Sequence, residues 1–548
     1  MCPRKELWPL DRPNILVMMT DQHRFDTLGC TGNARIRTPN LDALAAGGVL
    51  FRQACCPTPV CIASRMSLIT GRRVRDHHWA GNYPLRGPLP ELPTMMTLLQ
   101  RAGYHTHGVG KMHFLGRLYG LETLERQEEG VVSCVDDDYI MYLRAHGVRA
   151  RLPQGLRDLL YYQPQTNGIA LEHSMSAWVV QRSVACLREH ARYRRRPLFL
   201  WSSWVAPHPP FAPCEPYDSM YNPEDMTTPV WPERPLETLP SSAWGDRGRL
   251  DGAHLDPGRI RRIRALYYGQ VSQIDDGVGQ ILAELDNLGM RENTVVLFIS
   301  DHGDMLGDHG LSQKSVPYEP AVRVPMILHW PGRTEPGRVC DDLVGLTDFL
   351  PTLVEELGLD YPGDKRSLPG ASLLGKEGGG LGIERTGYYI DYGKEGDRWV
   401  SLRTSRYKYA LWATGPLEEL YDLQADPYER HNMIGEQPEL AREMRECVLR
   451  WERENGITQS FDGERFRTYP QRPLPASEPR HVTINDAPWA DRLPEDERDT
   501  VESYAEAFTR AIAKETTLSP EKLSLADYKR KGGKPLIGTP WEDAWRRA

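Results

Sequence analysis

The chain has 548 residues, of which 40% are hydrophobic and 26% are charged, and this composition excludes a wholly disordered or fibrous protein. Its 67 lysine and arginine residues against 75 acidic residues give a formal net charge of -8, so no global basic field indicates a nucleic acid or an anionic membrane as a partner. The ten cysteines are too few for a disulfide scaffold and form no paired Cys-x-x-Cys metal motif.

The N-terminal sequence contains no apolar signal core, and no apolar run reaches the ~18 residues that a membrane span requires. At roughly 150 residues per domain, the length allows three or four domains. We therefore expect a cytoplasmic enzyme with no membrane association, in which most cysteines are reduced.

Short apolar runs alternate with longer amphipathic stretches over the first two thirds of the chain. In chain order, the sequence predicts a strand at 15–19, helices at 95–102 and 170–190, a strand at 198–205, a helix at 260–288, strands at 295–299 and 325–330, and a helix at 347–357. The apolar runs are typical of buried parallel strands. The alternation predicts an α/β fold, with a central sheet covered by helices on both faces.

The pattern changes near residue 386. Short, locally paired strands are predicted at 386–391, 399–404, 407–412 and 419–423, followed by an amphipathic helix at 438–453. Beyond about Asn455 the chain is rich in Pro, Arg and Asp, with helical islands near 502–514 and 520–530. We therefore predict a catalytic domain at 1–385, a smaller α+β subdomain with a short antiparallel sheet at 386–454, and an extension at 455–548.

Three predicted strands end in polar clusters. These clusters are Thr20-Asp21-Gln22, Ala206-Pro207-His208 and Ser300-Asp301-His302. Ligands of open α/β sheets gather at the carboxyl ends of the strands. We expect the three clusters to converge although they lie far apart in the sequence.

A further motif is Cys61-Ile62-Ala63-Ser64-Arg65, followed by Thr70-Gly71-Arg72. Alone, such a cysteine is more often a small buried hydrophobic residue. It gains weight from the polar groups elsewhere in the chain, which are the three strand-end clusters, Gly110-Lys111-Met112-His113, the run from Asp301 to Gly310, and Lys314.

On these motifs the chain resembles the type I, formylglycine-dependent sulfatases of the alkaline phosphatase superfamily, from about Asn14 to Asn432. The signature of that family is C-x-(P/A)-x-R followed by a T-G-R segment, and Cys61 to Arg65 matches it with the rarer alanine, Ala63. The segment from Asp426 to Asn432 also resembles the C-terminal subdomain of the family. The resemblance implies an alkaline-phosphatase-like sandwich and a sulfuric ester hydrolase, in which a separate maturation enzyme oxidises Cys61 to formylglycine.

The resemblance also implies one divalent cation. Its ligands would be Asp21, Gln22, Asp301, His302 and the modified Cys61, an oxygen-rich set with one imidazole. The family often has a second aspartate in place of Gln22 and an asparagine in place of His302. These departures lower the negative charge, and nitrogen ligation admits manganese. We expect Ca²⁺, with Mn²⁺ as the alternative.

A sulfate ester is a stable anion, so its hydrolysis needs a nucleophile, a cation for the nonbridging oxygens and an acid for the leaving oxygen. By resemblance, formylglycine at position 61 would be hydrated to a geminal diol, of which one oxygen binds the metal and attacks sulfur with Asp301 as base. His208 would protonate the leaving oxygen, or Lys314 would assist it. His113 would then remove the proton of the second diol oxygen and so expel sulfate.

The charge around the diol would be held by Arg65 and Lys111. Asn82 follows Gly81, so it is either a turn residue or a hydrogen-bond partner of a sulfate oxygen. The substrate-binding side chains would be Asn82, Lys111, His208 and Lys314.

Two other functions remain open. The first is a phosphonate monoester or phosphodiester hydrolase of the same superfamily, which Gln22 and His302 favour. Lys111 and His113 oppose this function, because the phosphonate hydrolases resemble a version of the site with a tyrosine and a threonine at these two positions. The second is an inactive binding protein with the same fold, which would be expected to have lost charged site residues that this chain keeps.

The substrate is an aryl or carbohydrate sulfate ester, and the sequence does not distinguish these two. The segments 114–165 and 212–259 are long connections that we expect to frame the pocket. We also expect a homo-oligomer, because aromatic residues of the extension need burial. These residues are Trp489, Tyr504, Phe508, Tyr528 and Trp541.

Overall fold

The computed structural model describes residues 12–85, 87–128, 137–148, 167, 169–193, 195–235, 238–243, 257–375, 385–415 and 417–471. Its largest element is an eight-stranded sheet with the strand order β4-β3-β5-β1-β6-β7-β2-β8. The strands are β1 (Asn14–Asp21), β2 (Val49–Cys55), β3 (His105–Gly110), β4 (Thr123–Arg126), β5 (Leu198–Pro207), β6 (Thr294–Ser300), β7 (Met326–His329) and β8 (Arg338–Gly345).

The sheet is mixed and mainly parallel. β1 runs parallel to both β5 and β6, and β3 runs parallel to β4 and β5. β7 is antiparallel to β6 and to β2, so the prediction that 325–330 is a parallel strand was wrong. A parallel return needs a crossover, usually a helix. The chain between β6 and β7 instead forms an irregular loop with one short 3-10 turn and one short α-helix. An apolar run by itself does not encode strand direction.

Helices cover both faces of this sheet. They are α1 (Pro39–Ala46), α2 (Cys61–Thr70), α3 (Val74–His77), α4 (Met95–Arg101), α5 (Asp138–Ala145), α6 (Met175–Tyr193), α7 (Pro257–Asn287), α8 (Glu319–Val322) and α9 (Phe349–Glu356). Alternate residues of β1 belong to different cores: Val17 packs in the core with α2, α4 and α9, whereas Met18 packs in the core with α1, α6 and α7. This period of two explains why the whole strand is apolar.

A second, antiparallel sheet follows, with the order β12-β11-β10-β9. Its strands are β9 (Tyr388–Tyr392), β10 (Trp399–Arg403), β11 (Tyr407–Trp412) and β12 (Glu418–Asp422), and α10 (Pro438–Asn455) and the ribbon β13 (Phe461–Asp462) and β14 (Arg465–Phe466) come after them. One face packs on α10 through Val400 and Val448. The other face contributes Trp399 and Trp412 to the core of the large sheet. The predicted fold class is confirmed.

The predicted islands at 502–514 and 520–530, and the part of the extension after residue 471, lie outside the described residues. Within the described part, every cysteine is a free thiol. None of the helices found there has the length and apolar character needed to cross a membrane.

Candidate active site

Four adjacent strands bring the strand-end residues together. In the order β3-β5-β1-β6, all parallel, Lys111 follows β3, His208 follows β5, Asp21 ends β1 and Asp301 follows β6. All four side chains are buried. The convergence of the polar clusters predicted from the sequence is confirmed, because carboxyl ends of parallel strands meet at one edge of the sheet.

Cys61 is the first residue of α2, a helix that is buried along its whole length. The side-chain oxygen of Asn82 accepts a hydrogen bond from the backbone N–H of Ile62 at 3.0 Å and so satisfies one of the free donors at this helix end. Asn82 itself is exposed, so it lies at the outer edge of the site beside Cys61. Its contact with a sulfate oxygen stays a prediction.

Ligand atoms of Asp21, Cys61, Asp301 and His302 all lie within 4.8 Å of one another, and all four residues are buried. His302 Nε2 is 3.3 Å from Cys61 Sγ, while His302 Nδ1 is 3.0 Å from the carbonyl oxygen of Gly303. Because a carbonyl only accepts, Nδ1 carries a proton, and Nε2 faces the cluster. Two carboxylates with one oriented imidazole form a donor set that fits a divalent cation.

Gln22 completes this cluster. Its backbone has φ 66°, in the left-handed region that residues other than glycine adopt mainly where the surroundings hold them. The side-chain Nε2 donates to Asp304, which leaves Oε1 to accept from Lys314 Nζ at 2.5 Å. Asp304 therefore orients the Gln22 amide so that its oxygen faces Lys314, whose Nζ also lies 3.5 Å from Cys61 Sγ.

Positive side chains surround the two carboxylates. Arg65 Nε donates to Asp301 Oδ2 at 2.8 Å, its NH2 group lies 3.3 Å from Asp21, and Lys111 Nζ donates to Asp21. Burial raises the pKa of Asp21, but Lys111 and the other cations bring it well below its usual range. With Lys314, three cationic side chains face two carboxylates, so the site favours a bound anion.

The same field acts on position 61. Lys111 Nζ is 3.9 Å and Lys314 Nζ is 3.5 Å from Cys61 Sγ. Burial raises the pKa of the Cys61 thiol, but Lys111, Lys314 and His302 lower it below its usual range despite Asp21. The site therefore stabilises negative charge on whatever atom occupies this position.

Two further histidines complete the predicted set. His113 has φ 59°, and its backbone N–H donates to Glu128 Oε1 at 3.0 Å. Burial and the neighbouring Lys111 lower the pKa of the His113 imidazole to about 3, so it is neutral at neutral pH. His208 Nδ1 lies 2.7 Å from the carbonyl oxygen of Pro209, and because a carbonyl only accepts, this nitrogen carries a proton.

The sequence did not reveal the residues that orient these groups. Ser203 Oγ accepts from Arg65 at 3.1 Å, Ser64 Oγ donates to the backbone oxygen of Asp301 at 2.6 Å, and Asp304 holds Gln22. The one available signal was a pair of serines, Ser202-Ser203, inside the apolar run that became β5.

A buried ion network supports the loop that carries Asp304. Arg24 donates to the backbone oxygens of Asp304 and Met305 at 3.2 and 3.1 Å and to Asp308 at 2.8 Å. Arg264 donates to the other oxygen of Asp308 at 2.6 Å. Burial raises the pKa of Asp308, but Arg264 and Arg24 lower it to about 2, from an ordinary value of 3.8.

Because the folded-state pKa of Asp308 lies below the unfolded value, its stabilising effect is present above about pH 4 and is lost as the pH falls towards 2, by about 2 kcal/mol. Replacing it by asparagine leaves the buried Arg264 guanidinium without its carboxylate and leaves Arg24 with only the exposed Asp26 carboxylate. We expect Asp308→Asn to lower the free energy of unfolding at pH 7 by about 3–5 kcal/mol, measured in urea, and to weaken the loss of stability below pH 4.

Asp26 provides the control for this prediction. It pairs with the same Arg24 guanidinium, but its side chain is 53% exposed. Asp26→Asn should therefore cost less than about 1 kcal/mol. Equal urea midpoints for Asp308→Asn and the unsubstituted protein would contradict the prediction.

Comparison with known proteins identifies the family of the chain that forms this α/β fold and this strand-end site. Residues 13–359 match the sulfatase family model, and residues 307–453 match the model of the C-terminal region of N-sulphoglucosamine sulphohydrolase. The chain therefore belongs to the sulfatase family, a family of sulfuric ester hydrolases.

Among curated proteins, an arylsulfatase of Clostridium perfringens is 32% identical over 460 residues, which cover 77% of this chain and 90% of that protein. A choline-sulfatase of Rhizobium meliloti is 29% identical over 441 residues, which cover 77% and 82% of the two chains. Human iduronate 2-sulfatase is 27% identical over 525 residues, which cover 78% and 92%.

Solved structures confirm the fold. A phosphonate monoester hydrolase of Agrobacterium radiobacter is similar with a TM-score of 0.69 at 24% sequence identity, over 81% of this chain and 96% of that chain. A protein solved with its substrate D-glucosamine-2-N,6-O-disulfate has a TM-score of 0.62 at 22% identity, over 81% and 98%. The same fold thus occurs in a protein named as a phosphonate monoester hydrolase and in a protein whose substrate is a sulfated sugar.

Proposed function

We propose that this protein hydrolyses an aryl or carbohydrate sulfate ester through a formylglycine formed from Cys61 and one divalent cation. The observation that supports this most is the buried cluster around Cys61, where two carboxylates and His302 face three cationic side chains. Relatives named arylsulfatase and iduronate 2-sulfatase support the aryl and the carbohydrate substrate respectively.

The cation would be held by Asp21, Gln22, Asp301, His302 and the modified residue 61. As a Lewis acid it would withdraw charge from the sulfate oxygens. The mostly oxygen donor set favours Ca²⁺, and the imidazole of His302 makes Mn²⁺ the alternative.

In its hydrated form, the aldehyde at position 61 would supply one hydroxyl as nucleophile and a second hydroxyl with a removable proton. Asp301 would accept the proton of the attacking hydroxyl, and Arg65 keeps that carboxylate oriented through the 2.8 Å contact from Nε. Lys111, fully buried beside Asp21 and residue 61, would stabilise the negative charge of the attacking oxygen.

The leaving oxygen would take a proton from His208, or would be stabilised by the ammonium group of Lys314. His113 would remove the proton of the second hydroxyl and so release sulfate. The neutral state of the His113 imidazole leaves it able to accept this proton. Asn82, at the outer edge of the site, would contact a sulfate oxygen.

Hydrolysis of phosphonate monoesters or phosphodiesters is the second candidate. Gln22 and His302 favour it by reducing the negative charge at the cation site. Lys111 and His113 favour the sulfate ester, because the phosphonate hydrolases resemble a version with a tyrosine and a threonine at these positions.

A comparison of substrates tests this choice. The values of kcat/KM are measured for 4-nitrophenyl sulfate, a 4-nitrophenyl phosphonate monoester and a bis(4-nitrophenyl) phosphodiester with one enzyme preparation. We expect the sulfate ester to lead by at least about tenfold, which corresponds to ~1.4 kcal/mol of transition-state binding. A clear preference for either phosphorus ester would contradict the proposal.

We also propose that the chain divides at residues 385 and 454. The catalytic unit and the α+β unit would fold together, since Trp399 and Trp412 pack in the core of the large sheet and the C-terminal family model begins as early as residue 307. The segment 455–548 would serve a homo-oligomer, and a formylglycine-generating enzyme would be the maturation partner.

A further inference from the structure

The segment from Lys314 to Glu319, here called the Lys314 segment, joins the active site to the second sheet. At its start, Lys314 Nζ lies 3.5 Å from Cys61 Sγ. Trp399 Nε1 donates to the backbone oxygen of Ser315 at 2.9 Å, and Lys408 Nζ donates to the backbone oxygen of Pro317 at 2.9 Å. Side chains of β10 and β11 thus hold two of its backbone acceptors.

Buried ion pairs hold the far end of the Lys314 segment. Arg403 donates to both oxygens of Glu319 at 2.9 and 3.0 Å, and Lys408 Nζ lies 2.7 Å from Glu319 and 2.7 Å from Glu429. The backbone N–H of Glu319 donates to Glu429 at 2.6 Å. These four side chains are at most 10% exposed, and Arg323 adds a longer contact with Glu319 at 4.0 Å.

Such a network is a poor source of stability. Desolvation of the charges offsets most of their attraction, and apolar residues of similar volume often serve as well or better. What the charges provide is a defined geometry. The backbone near Lys314 needs this support, because Gln313 and Ser315 have φ 63° and 75°, left-handed values on both sides of the lysine.

We propose that Lys408 and Trp399 are positioning residues for Lys314, which they fix against residue 61 through the Lys314 segment. The inference rests on the proposed function, in which Lys314 stabilises the leaving oxygen. Through Lys408 and Trp399 the second sheet then contributes to catalysis, although neither side chain contacts the substrate. A loose Lys314 would affect poor leaving groups more than good ones, since good leaving groups need little stabilisation.

The test measures kcat/KM for aryl sulfates whose phenol leaving groups span a range of pKa values. Lys314→Met, Lys408→Met and Trp399→Phe are compared with the unsubstituted enzyme. Trp399→Phe removes one hydrogen bond and keeps every charge, so it serves where Lys408→Met fails to fold. Arg445→Met is the control, because Arg445 pairs with Glu418 in the same subdomain and makes no described contact with the Lys314 segment.

We expect Lys408→Met and Trp399→Phe to lose roughly 10- to 100-fold in kcat/KM with the poorest leaving group and much less with 4-nitrophenol. Both should steepen the leaving-group dependence in the same direction as Lys314→Met, and adding either to Lys314→Met should cause little further loss. Arg445→Met should keep the original dependence.

Two results would overturn the inference, and they are distinguishable. If Lys314→Met steepens the dependence but Trp399→Phe loses equally with every leaving group, the positioning role is wrong and the proposed function stands. If Lys314→Met itself leaves the dependence unchanged, the leaving-group role of Lys314 fails, and the inference fails with it.

Discussion

Cys61→Ser is expected to stop catalytic turnover, with a loss in kcat of at least about 10⁴-fold. A serine hydroxyl at the start of α2 would face the same cations, so a first attack on the substrate remains feasible. It lacks the second hydroxyl from which His113 would remove a proton, so the sulfate cannot be released by that route. At most one equivalent of phenol per protein molecule should therefore appear from an aryl sulfate, measured by its absorbance.

Cys56→Ser is the control for this substitution. Cys56 is also a buried free thiol, but its Sγ lies 3.9 Å from the backbone oxygen of Ala321 and outside the cluster. We expect this variant to keep the original kcat. Repeated turnover by Cys61→Ser at a rate near that of the unsubstituted enzyme would mean that a plain hydroxyl is sufficient, and would contradict the formylglycine mechanism.

Removal of divalent cations by a chelator is expected to reduce turnover to background and to lower Tm. The cation would bind the folded state only, because Asp21 and residue 61 meet Asp301 and His302 only after folding. Its loss from a concentration of about 1,000 Kd would cost ~4 kcal/mol of stability. Adding Ca²⁺ or Mn²⁺ separately should restore both properties, and the ion that restores them at the lower concentration is the preferred one.

Substitution within the cluster should abolish the response to the ion. We expect Asp301→Asn to show no rise in Tm on adding the cation, whereas Asp341→Asn, on an exposed carboxylate that pairs with Arg52, should keep it. Full activity after exhaustive chelation would contradict a metal-dependent reaction.

The fold was predictable where burial leaves a pattern in the sequence. β1, β5 and β6 are buried on both faces and mostly apolar, and each was predicted to within two residues at either end. β3 was missed because its sequence, His-Thr-His-Gly-Val-Gly, contains polar residues whose partners lie elsewhere: His107 Nδ1 is 2.5 Å from Thr123 Oγ1 on β4. β8, with several exposed residues at the edge of the sheet, gives an equally weak signal.

The predicted site has the same limits. Asp21, Asp301 and His208 were predicted to converge because the ends of parallel strands must meet. The place of Cys61 came from the family signature, since β2, which ends at Cys55, was not predicted from the sequence. Asp304 acts by orienting the side chain of Gln22, and this role requires no particular spacing between the two residues in the sequence, so no pattern predicts it. The support of Lys314 depends on contacts between residues 84 and 91 positions apart.

The mass of the tryptic peptide that contains Cys61, compared between preparations of different specific activity, tests the central claim most directly. The protein is produced with and without a formylglycine-generating enzyme, and the fraction of aldehyde at position 61 is measured beside the turnover of an aryl sulfate. The account predicts that activity rises in proportion to the aldehyde fraction and is absent where the thiol is intact. Full sulfatase activity in a preparation whose Cys61 is entirely an unmodified thiol would contradict it.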